Sequence, residues 1–227
     1  MPFQDLPARV ADVRARIAAA VARGGHRQEV TLVAVTKTYG PDAVHAAWAA
    51  GVNDVGENRV QEALGKIEAV DVPVRWHLIG HLQRNKAKAL DHFALFHALD
   101  SARLADAVCA VGVARERAVD ALVQVNASGE QSKGGFSPDE LRAEAERLTT
   151  LVGVRVRGVM TMAPLGADER VLRATFAGAR DARDVLREAG HPADELSMGM
   201  SNDYEVAVEE GATLVRLGTV LFGARDA

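Results

Sequence analysis

"VTLVAVTK", residues 30–37, is a run of branched and small apolar residues that ends at a lysine. A short apolar run of this kind is typical of a buried strand in a parallel sheet. Further segments of the same character are NDVGEN (53–58), RWHLIG (75–80), ALFHAL (94–99), VDALVQVN (119–126), VRVRGVM (154–160), ELSMG (195–199) and ATLVRLG (212–218). The chain therefore contains eight candidate strands.

Helix-compatible stretches separate these strands. They are 41–50, 57–68, 101–117, 137–149, 168–189 and 202–210. One of them opens with a capping signal, Ser137-Pro138 followed by Glu140. Strands that alternate with helices pair in parallel, and eight such units match a closed (β/α)8 barrel better than a doubly wound sheet of about five or six strands. We therefore predict an α/β protein built on a single TIM barrel.

An amphipathic helix precedes the first strand. Its apolar residues recur at helical spacing, and Gly24-Gly25 ends the pattern. These apolar residues are Leu6, Val10, Val13, Ile17 and Val21. We expect one domain over residues 1–227, with the helix of residues 1–25 packed on the barrel, because barrels of this size commonly fold as one unit.

Composition limits the classes of function. The 227 residues are 48% hydrophobic, with a formal net charge of -4 and a mean hydropathy of -0.04, which indicates a globular protein rather than a disordered or membrane-spanning one. The acidic balance argues against a nucleic-acid partner, whose phosphates require a basic surface. Cys109 is the single cysteine and permits no intramolecular disulfide, and the N-terminal segment lacks a leader pattern. We therefore expect a cytoplasmic location.

Lys37 closes the first strand, at the end of a barrel where catalytic groups lie. Val35, Val33 and Thr31 share its parity, so that we expect an interior column of side chains to finish with an amine. An amine among apolar side chains loses hydration, which favours the neutral form that attacks an aldehyde to give a Schiff base. Only five of the 27 Lys and Arg residues are lysines. Arginine cannot form this adduct, so the lysine at this position favours a chemical role over an ordinary surface lysine.

The loops after the seventh and eighth strands resemble a phosphate site. They read SMGMSND (197–203) and RLGTVLFG (216–223), and barrels often bind phosphate at these two loops. Ser201 and Thr219 can donate hydroxyl groups, and Gly199 and Gly218 let backbone N–H groups approach an anion. Ser201 could also cap a helix beginning near Asn202, and an ordinary N-cap followed by a helix-breaking glycine would explain the same residues. Arg216 could serve the ligand or pair with an acid in the barrel wall.

Other polar residues carry weaker signals. His77 and His81 lie on a strand and a loop rather than on one helical face, so we predict no metal site. Lys133, in the loop after the fifth strand, could contact a ligand phosphate or a second aldehyde, although its position favours a solvated loop lysine. Met160 and Met162 end the sixth strand and could line a pocket, although core packing is their usual role.

Six ordered motifs identify a family resemblance. LVAVTKT (32–38), GENRVQEA (56–63), WHLIGHLQRNK (76–86), QVNASGEQSKGGF (124–136), LSMGMSNDYEVAV (196–208) and VRLGTVLFG (215–223) resemble the pyridoxal-phosphate homeostasis proteins of the YggS/PROSC type. The resemblance covers residues 30 to 224 and implies the barrel half of fold-type III enzymes such as alanine racemase. It also implies that pyridoxal 5'-phosphate (PLP) is the cofactor.

The resemblance assigns a role to each candidate site residue. Lys37 is implied to be the lysine of the internal aldimine. The phosphate is implied to lie against Ser201, Gly218 and Thr219. The resemblance further places Arg216 facing the pyridine nitrogen, and it places Asn58, at the end of the second strand, near the ring.

These assignments favour a PLP carrier over an enzyme. A guanidinium beside the pyridine nitrogen opposes its protonation and weakens the ring as an electron sink. Racemases of this type add a β-rich domain with a catalytic tyrosine, which we do not expect in this chain. We predict a protein that holds PLP reversibly, buffers it and delivers it to apo-enzymes. The alternatives are a PLP-dependent amino-acid racemase of weak activity and a cofactor-free Schiff-base aldolase.

Overall fold

The computed structural model describes residues 3–130 and 134–223 and contains a closed barrel of eight parallel strands. The strands are β1 (Thr31–Val35), β2 (Asp54–Glu57), β3 (Arg75–Leu78), β4 (Leu95–Leu99), β5 (Val119–Gln124), β6 (Val154–Met160), β7 (Glu195–Ser197) and β8 (Leu214–Leu217). They follow one another in chain order, and β8 pairs with β1 to close the barrel. The predicted fold class and all eight predicted strands are confirmed.

Helices connect the strands around the outside of the barrel. They are α1 (Leu6–Gly24), α2 (Pro41–Ala49), α3 (Val60–Ala69), α4 (Ala102–Ala114), α5 (Pro138–Thr149), α6 (Glu169–Glu188), α7 (Tyr204–Glu209) and α8 (Thr219–Phe222), with a 3-10 helix over Arg84–His92. The predicted capping signal is confirmed at α5, where Ser137 and Glu140 form a reciprocal capping box. Each connection thus returns the chain to the amino end of the next strand.

Two connections differ from the sequence prediction. The helix predicted over 57–68 begins only at Val60, because Glu57 still belongs to β2. The stretch after β3, for which no helix was predicted, forms the 3-10 helix. Its buried residues Ala87 and Leu90 and the buried Phe93 that follows are three positions apart, the spacing of a 3-10 rather than an α-helix.

Helix α1 attaches to the barrel through an apolar face and ion pairs. The buried side chains of this face are Leu6, Val10, Val13, Ile17 and Ala20. From its polar side, Arg23 reaches Glu209 of α7 at 2.6 Å. That residues 1–227 form one domain stays a prediction, because residues 1–2, 131–133 and 224–227 lie outside the described part of the chain.

Polar residues occupy parts of the barrel core. Val33 of β1 lies in register with Asp54 of β2 on one side and Arg216 of β8 on the other, and all three are buried. Buried polar side chains such as Asp54 and Arg216 need hydrogen-bond partners inside the barrel. In the described ranges, no helix is both long and apolar enough to cross a membrane.

Candidate functional site

The carboxyl ends of the strands surround an open cavity of about 1120 Å³. All six predicted site residues line it: Lys37, Asn58, Ser201, Arg216, Gly218 and Thr219. They come from the ends of β1, β2, β7 and β8, which barrel closure makes neighbours. The structure therefore brings together residues that are up to 182 positions apart in the chain (Lys37 to Thr219).

Lys37 lies in a turn and not on the strand. Strand β1 ends at Val35, and Lys37 follows two residues later as a half-buried side chain at the cavity. The parity argument, which treated Lys37 as the last member of an interior column, was therefore wrong about its local structure. The peptide N–H of Tyr39 donates to the carbonyl of Thr36 at 3.1 Å and closes the turn. Thr38, the residue after Lys37, has a φ of 69°, which residues with β-branched side chains rarely adopt.

Ser201 does not cap a helix at Asn202. Helix α7 begins at Tyr204 with Asp203 in the N-cap position, and the Asp203 carboxylate accepts the Met200 N–H at 2.6 Å. The Ser201 hydroxyl instead accepts the N–H of Val220 at 3.3 Å. Because Val220 belongs to α8, this hydrogen bond joins the two loops that the sequence predicted to hold a phosphate.

Gly199 and Gly218, in these two loops, are glycines for different structural reasons. Gly199 has a φ of 93°, and a Cβ there would lie 2.7 Å from the Cβ of Ala207, so packing alone requires glycine. At Gly218 φ is -115°, and an added Cβ would be 3.6 Å from its nearest neighbour in Val35. Neither the backbone nor the packing requires glycine at 218, and the residue lines the cavity. The missing side chain therefore leaves room on the cavity wall.

Arg216 is a buried cation at the base of the cavity. Its guanidinium donates to the Ser197 hydroxyl at 2.5 Å and to the Thr161 carbonyl at 2.9 Å. Burial lowers the pKa of Arg216 to about 10, opposed by the charge of Asp203, so the guanidinium is protonated at neutral pH. The sequence left open whether Arg216 serves a ligand or pairs with an acid. The two acceptors of its guanidinium, Ser197 and Thr161, are neutral, and Arg216 lines part of the cavity.

A line of buried side chains runs from Arg216 to the opposite end of the barrel. We call it the histidine chain; it consists of Arg216, Ser197, His97, His77 and Asp54. The three contacts from Ser197 to Asp54 are each 2.9 Å. At its far end, the Asp54 carboxylate accepts two hydrogen bonds from Arg75, at 2.6 and 2.7 Å.

Charges at the two ends orient the histidine chain. Burial opposes the charge of Asp54, but hydrogen bonds from His77 and Arg75 outweigh it and lower its pKa, so the carboxylate accepts the His77 N–H. Burial, and then the charges of His77 and Arg216, hold the pKa of His97 well below its usual range, and His97 is neutral. At the other end, the Arg216 guanidinium has only N–H donors, so the Ser197 oxygen accepts from it.

Most of the histidine chain was not predicted from the sequence. His77 was considered only with His81, which lies at the cavity rim and contacts Asp100 at 2.8 Å. The available signal was a polar residue within an apolar strand, such as His97 in LFHAL. Strand sequences do not show, however, which of these side chains meet inside the barrel.

The remaining candidates divide between the core and the cavity. Met162 lines the cavity, whereas Met160 is buried in the core. Lys133 lies outside the described residues. In the described ranges, no group of three or more His, Cys, Asp or Glu residues could hold a metal ion. The described lining of the cavity thus offers the primary amine of Lys37, hydroxyl and backbone donors, and a buried guanidinium.

This donor set fits PLP. Its aldehyde requires a primary amine, its phosphate requires hydroxyl and N–H donors close to the backbone, and Arg216 can face its ring. Gly218 leaves free the space that a Cβ would fill beside Thr219. Lys37, Ser201 and Arg216 meet these three requirements within one cavity.

Comparisons with known proteins agree with this chemistry. The family model described as alanine racemase, N-terminal domain, matches residues 10–226. A pyridoxal phosphate homeostasis protein of Pseudomonas aeruginosa is 44% identical over 220 residues, which cover 96% of this chain and 94% of the relative. The protein of the same name from Aquifex aeolicus is 41% identical over 221 residues and covers 96% and 97%.

Solved structures give the same result. PipY of Synechococcus elongatus, solved with PLP bound, has a TM-score of 0.84 and 37% identity, over 96% of this chain and all of that chain (100%). Alanine racemase of Acinetobacter baumannii has a TM-score of 0.74 at 16% identity, over 99% of this chain and 63% of the racemase. The second likeness concerns the fold alone.

Proposed function

The chain belongs to the pyridoxal phosphate homeostasis proteins, within the family of alanine racemase N-terminal domains, and we propose that it holds PLP as a Schiff base on Lys37. The observation that carries this proposal is the convergence of all six candidate residues on one cavity. PLP supplies an aldehyde there, which condenses with a primary amine with loss of water.

Each of the remaining site residues has a role in the proposed binding of PLP. Ser201, Gly218 and Thr219 hold the phosphate, for which the Ser201–Val220 hydrogen bond keeps the two loops together. Arg216 faces the pyridine nitrogen, and its charge opposes protonation there. Asn58, which follows β2, lies beside the ring. The protein thus binds the cofactor without strengthening its ring as an electron sink.

We infer a carrier rather than an enzyme. The cavity is open to solvent, which suits exchange of PLP with apo-enzymes, and the fixed positive charge of Arg216 disfavours strong carbanion chemistry. The proposed role is to buffer a reactive aldehyde and deliver it. Since the single cysteine Cys109 is free, the proposed location is the reducing cytoplasm.

Borohydride reduction of the PLP-loaded protein, followed by peptide mapping, tests the proposal. We expect visible absorbance before reduction and a stable adduct on Lys37 after it. Lys37→Arg retains the positive charge but cannot form the imine, and it should lose both signals. A mapped adduct on Lys86 or Lys88, or unchanged colour in the variant, would overturn the assignment.

Two further measurements separate the alternatives. An aldolase that needs no cofactor would show a reducible adduct with a sugar phosphate and no visible absorbance. A racemase would exchange the α-proton of alanine in deuterated water at a rate that depends on Lys37. Brisk exchange would contradict the carrier role while leaving PLP binding intact.

A further inference from the structure

The turn that carries Lys37 is held on both sides by helix α3. On one side, the ammonium group of Lys66 donates to the carbonyl of Thr36 at 2.7 Å. On the other side, the N–H of Thr38 donates to the carboxylate of Glu62. Lys37 therefore lies between two backbone groups that are both bound by side chains one helical turn apart.

A buried group of charges joins these contacts. We call it the Lys66 cluster; it consists of Thr36, Glu57, Glu62 and Lys66. Lys66 donates to Glu57 at 2.6 Å and to Glu62 at 2.9 Å in addition to Thr36. These contacts use the three N–H donors of an ammonium group, and only 6% of the side chain is exposed. Lys66 is thus a structural donor rather than an amine available to an aldehyde.

Stability alone does not account for the Lys66 cluster. The side chain of Glu57 is fully buried, and its Oε2 atom has no hydrogen-bond partner among the described residues. Burial raises the pKa of Glu57, although the Lys66 and Thr36 hydrogen bonds oppose that shift. Buried ion pairs add little net stability, and the left-handed backbone at Thr38 is unfavourable for a β-branched residue. The cluster must therefore contribute something other than stability.

We propose that Glu62 and Lys66 are positioning residues, which fix the backbone on both sides of Lys37 and thereby direct its amine into the cavity. This inference rests on the proposed function, since it gives these two residues a part in forming the imine. Two bound backbone groups set the direction of the Lys37 side chain. Without Glu62, Thr38 could leave its left-handed conformation, and rotation of the Lys37–Thr38 peptide would move the amine.

Glu62 is the residue that tests the proposal most cleanly. It lies at the edge of the Lys66 cluster with 26% of its side chain exposed, so its removal should not unfold the protein. Burial opposes its charge, but hydrogen bonds from Lys66 and Thr38 outweigh that effect and lower its pKa, so it accepts as a carboxylate. Glu68, exposed on the same helix, provides a matched control.

The experiment compares Glu62→Ala, Glu62→Gln and Glu68→Ala with the unmodified protein. The rate of imine formation is followed by absorbance with PLP and with pyridoxal, which lacks the phosphate. We expect Glu62→Ala to slow imine formation at least tenfold with both aldehydes, and Glu62→Gln to recover part of the rate because its amide oxygen can accept the Thr38 N–H. Glu68→Ala should behave as the unmodified protein does.

A second measurement needs no cofactor. Hydrogen exchange of the Thr38 amide in the ligand-free protein should accelerate in Glu62→Ala and return towards normal in Glu62→Gln. Faster exchange with an unchanged rate of imine formation would overturn the positioning role, as would equal slowing by Glu68→Ala. Absence of any Lys37 adduct in the unmodified protein would instead refute the proposed function, so the two failures are distinguishable.

Discussion

Two buried polar groups adjoin Lys37 and Arg216, and they are built differently. The Lys66 cluster packs one ammonium and two carboxylates around the turn of Lys37 and leaves one carboxylate oxygen of Glu57 unpaired among the described residues. The histidine chain separates its charges, with Arg216 at one end and Asp54 at the other, and the hydroxyl of Ser197 and the neutral His97 lie between them.

The two polar groups differ because Arg216 and Lys37, the residues that they hold in place, differ in local structure. Arg216 is buried within a strand, where the rigid barrel and neutral acceptors suffice to orient it. Lys37 lies in a turn beyond its strand, where the ladder no longer restrains the backbone. A residue outside regular structure needs side-chain contacts to fix its position, and charged hydrogen bonds are the strong ones. The comparison predicts that the two groups respond differently to substitution.

The largest loss of stability is expected from Lys66→Met. It leaves Glu57 as a buried charge without a cation, and breaking a buried pair in this way costs about 3–5 kcal/mol. Urea denaturation measures the change in the free energy of unfolding. The paired variant Lys66→Met with Glu57→Gln removes both charges and should recover at least half of the loss. If Lys66→Met alone were as stable as the unmodified protein, the charges of Lys66 and Glu57 would not be energetically coupled.

A smaller, pH-dependent effect is expected from His97→Gln. Folding holds the pKa of His97 well below its usual range, whereas in the unfolded chain it is about 6.5. As the pH falls below about 6.5, the unfolded state takes up a proton that the folded state does not, and stability decreases by up to roughly 1 kcal/mol per pH unit. Glutamine does not titrate, so the variant should lack this part of the slope.

The test of the His97 effect is urea denaturation of both proteins between about pH 7.5 and 5, on either side of the usual histidine pKa of about 6.5. Contributions from other titrating groups cancel in the difference between the two proteins. Parallel pH profiles would contradict a neutral His97 in the histidine chain.

The smallest effect on stability is expected at Gly218, which belongs to neither polar group. Gly218→Ala should change the free energy of unfolding by less than about 1 kcal/mol, because its Cβ meets Val35 only at ordinary contact distance. PLP binding should weaken about tenfold, since the methyl group occupies the cavity wall. Absorbance titration and urea denaturation measure the two quantities.

Gly199→Ala is the matched control for Gly218. Its Cβ would approach Ala207 to 2.7 Å at a left-handed backbone position, and this variant should lose stability by more than about 2 kcal/mol. If Gly218→Ala were destabilising to the same extent, glycine at this position would serve packing rather than leave space for a ligand.

Much of the fold and of the candidate site was predicted from local sequence patterns. The eight strands were recognisable because apolar runs bounded by polar loops and helices reflect burial directly. Ser201, Gly218 and Thr219 were expected together because they lie in glycine- and hydroxyl-rich loops after neighbouring strands, and all three line the cavity. Their contact with a phosphate stays a prediction. The errors concerned backbone geometry: β1 ends before Lys37, and α7 begins at Tyr204 rather than Asn202. Strand and helix ends depend on contacts made by other parts of the chain, which a local pattern does not contain.

The sequence by itself determined the order of strands and helices, the barrel class and a lysine close after the first strand, because each depends on residue type and short spacing. Only the tertiary structure decided that Lys66 lies under the turn of Lys37, and that His77 and His97 join Arg216 to Asp54. Those contacts connect residues from different strands and helices, and barrel closure brings them within hydrogen-bonding distance. Burial then makes the pairing of each polar group obligatory, which is why the interior is ordered in this way.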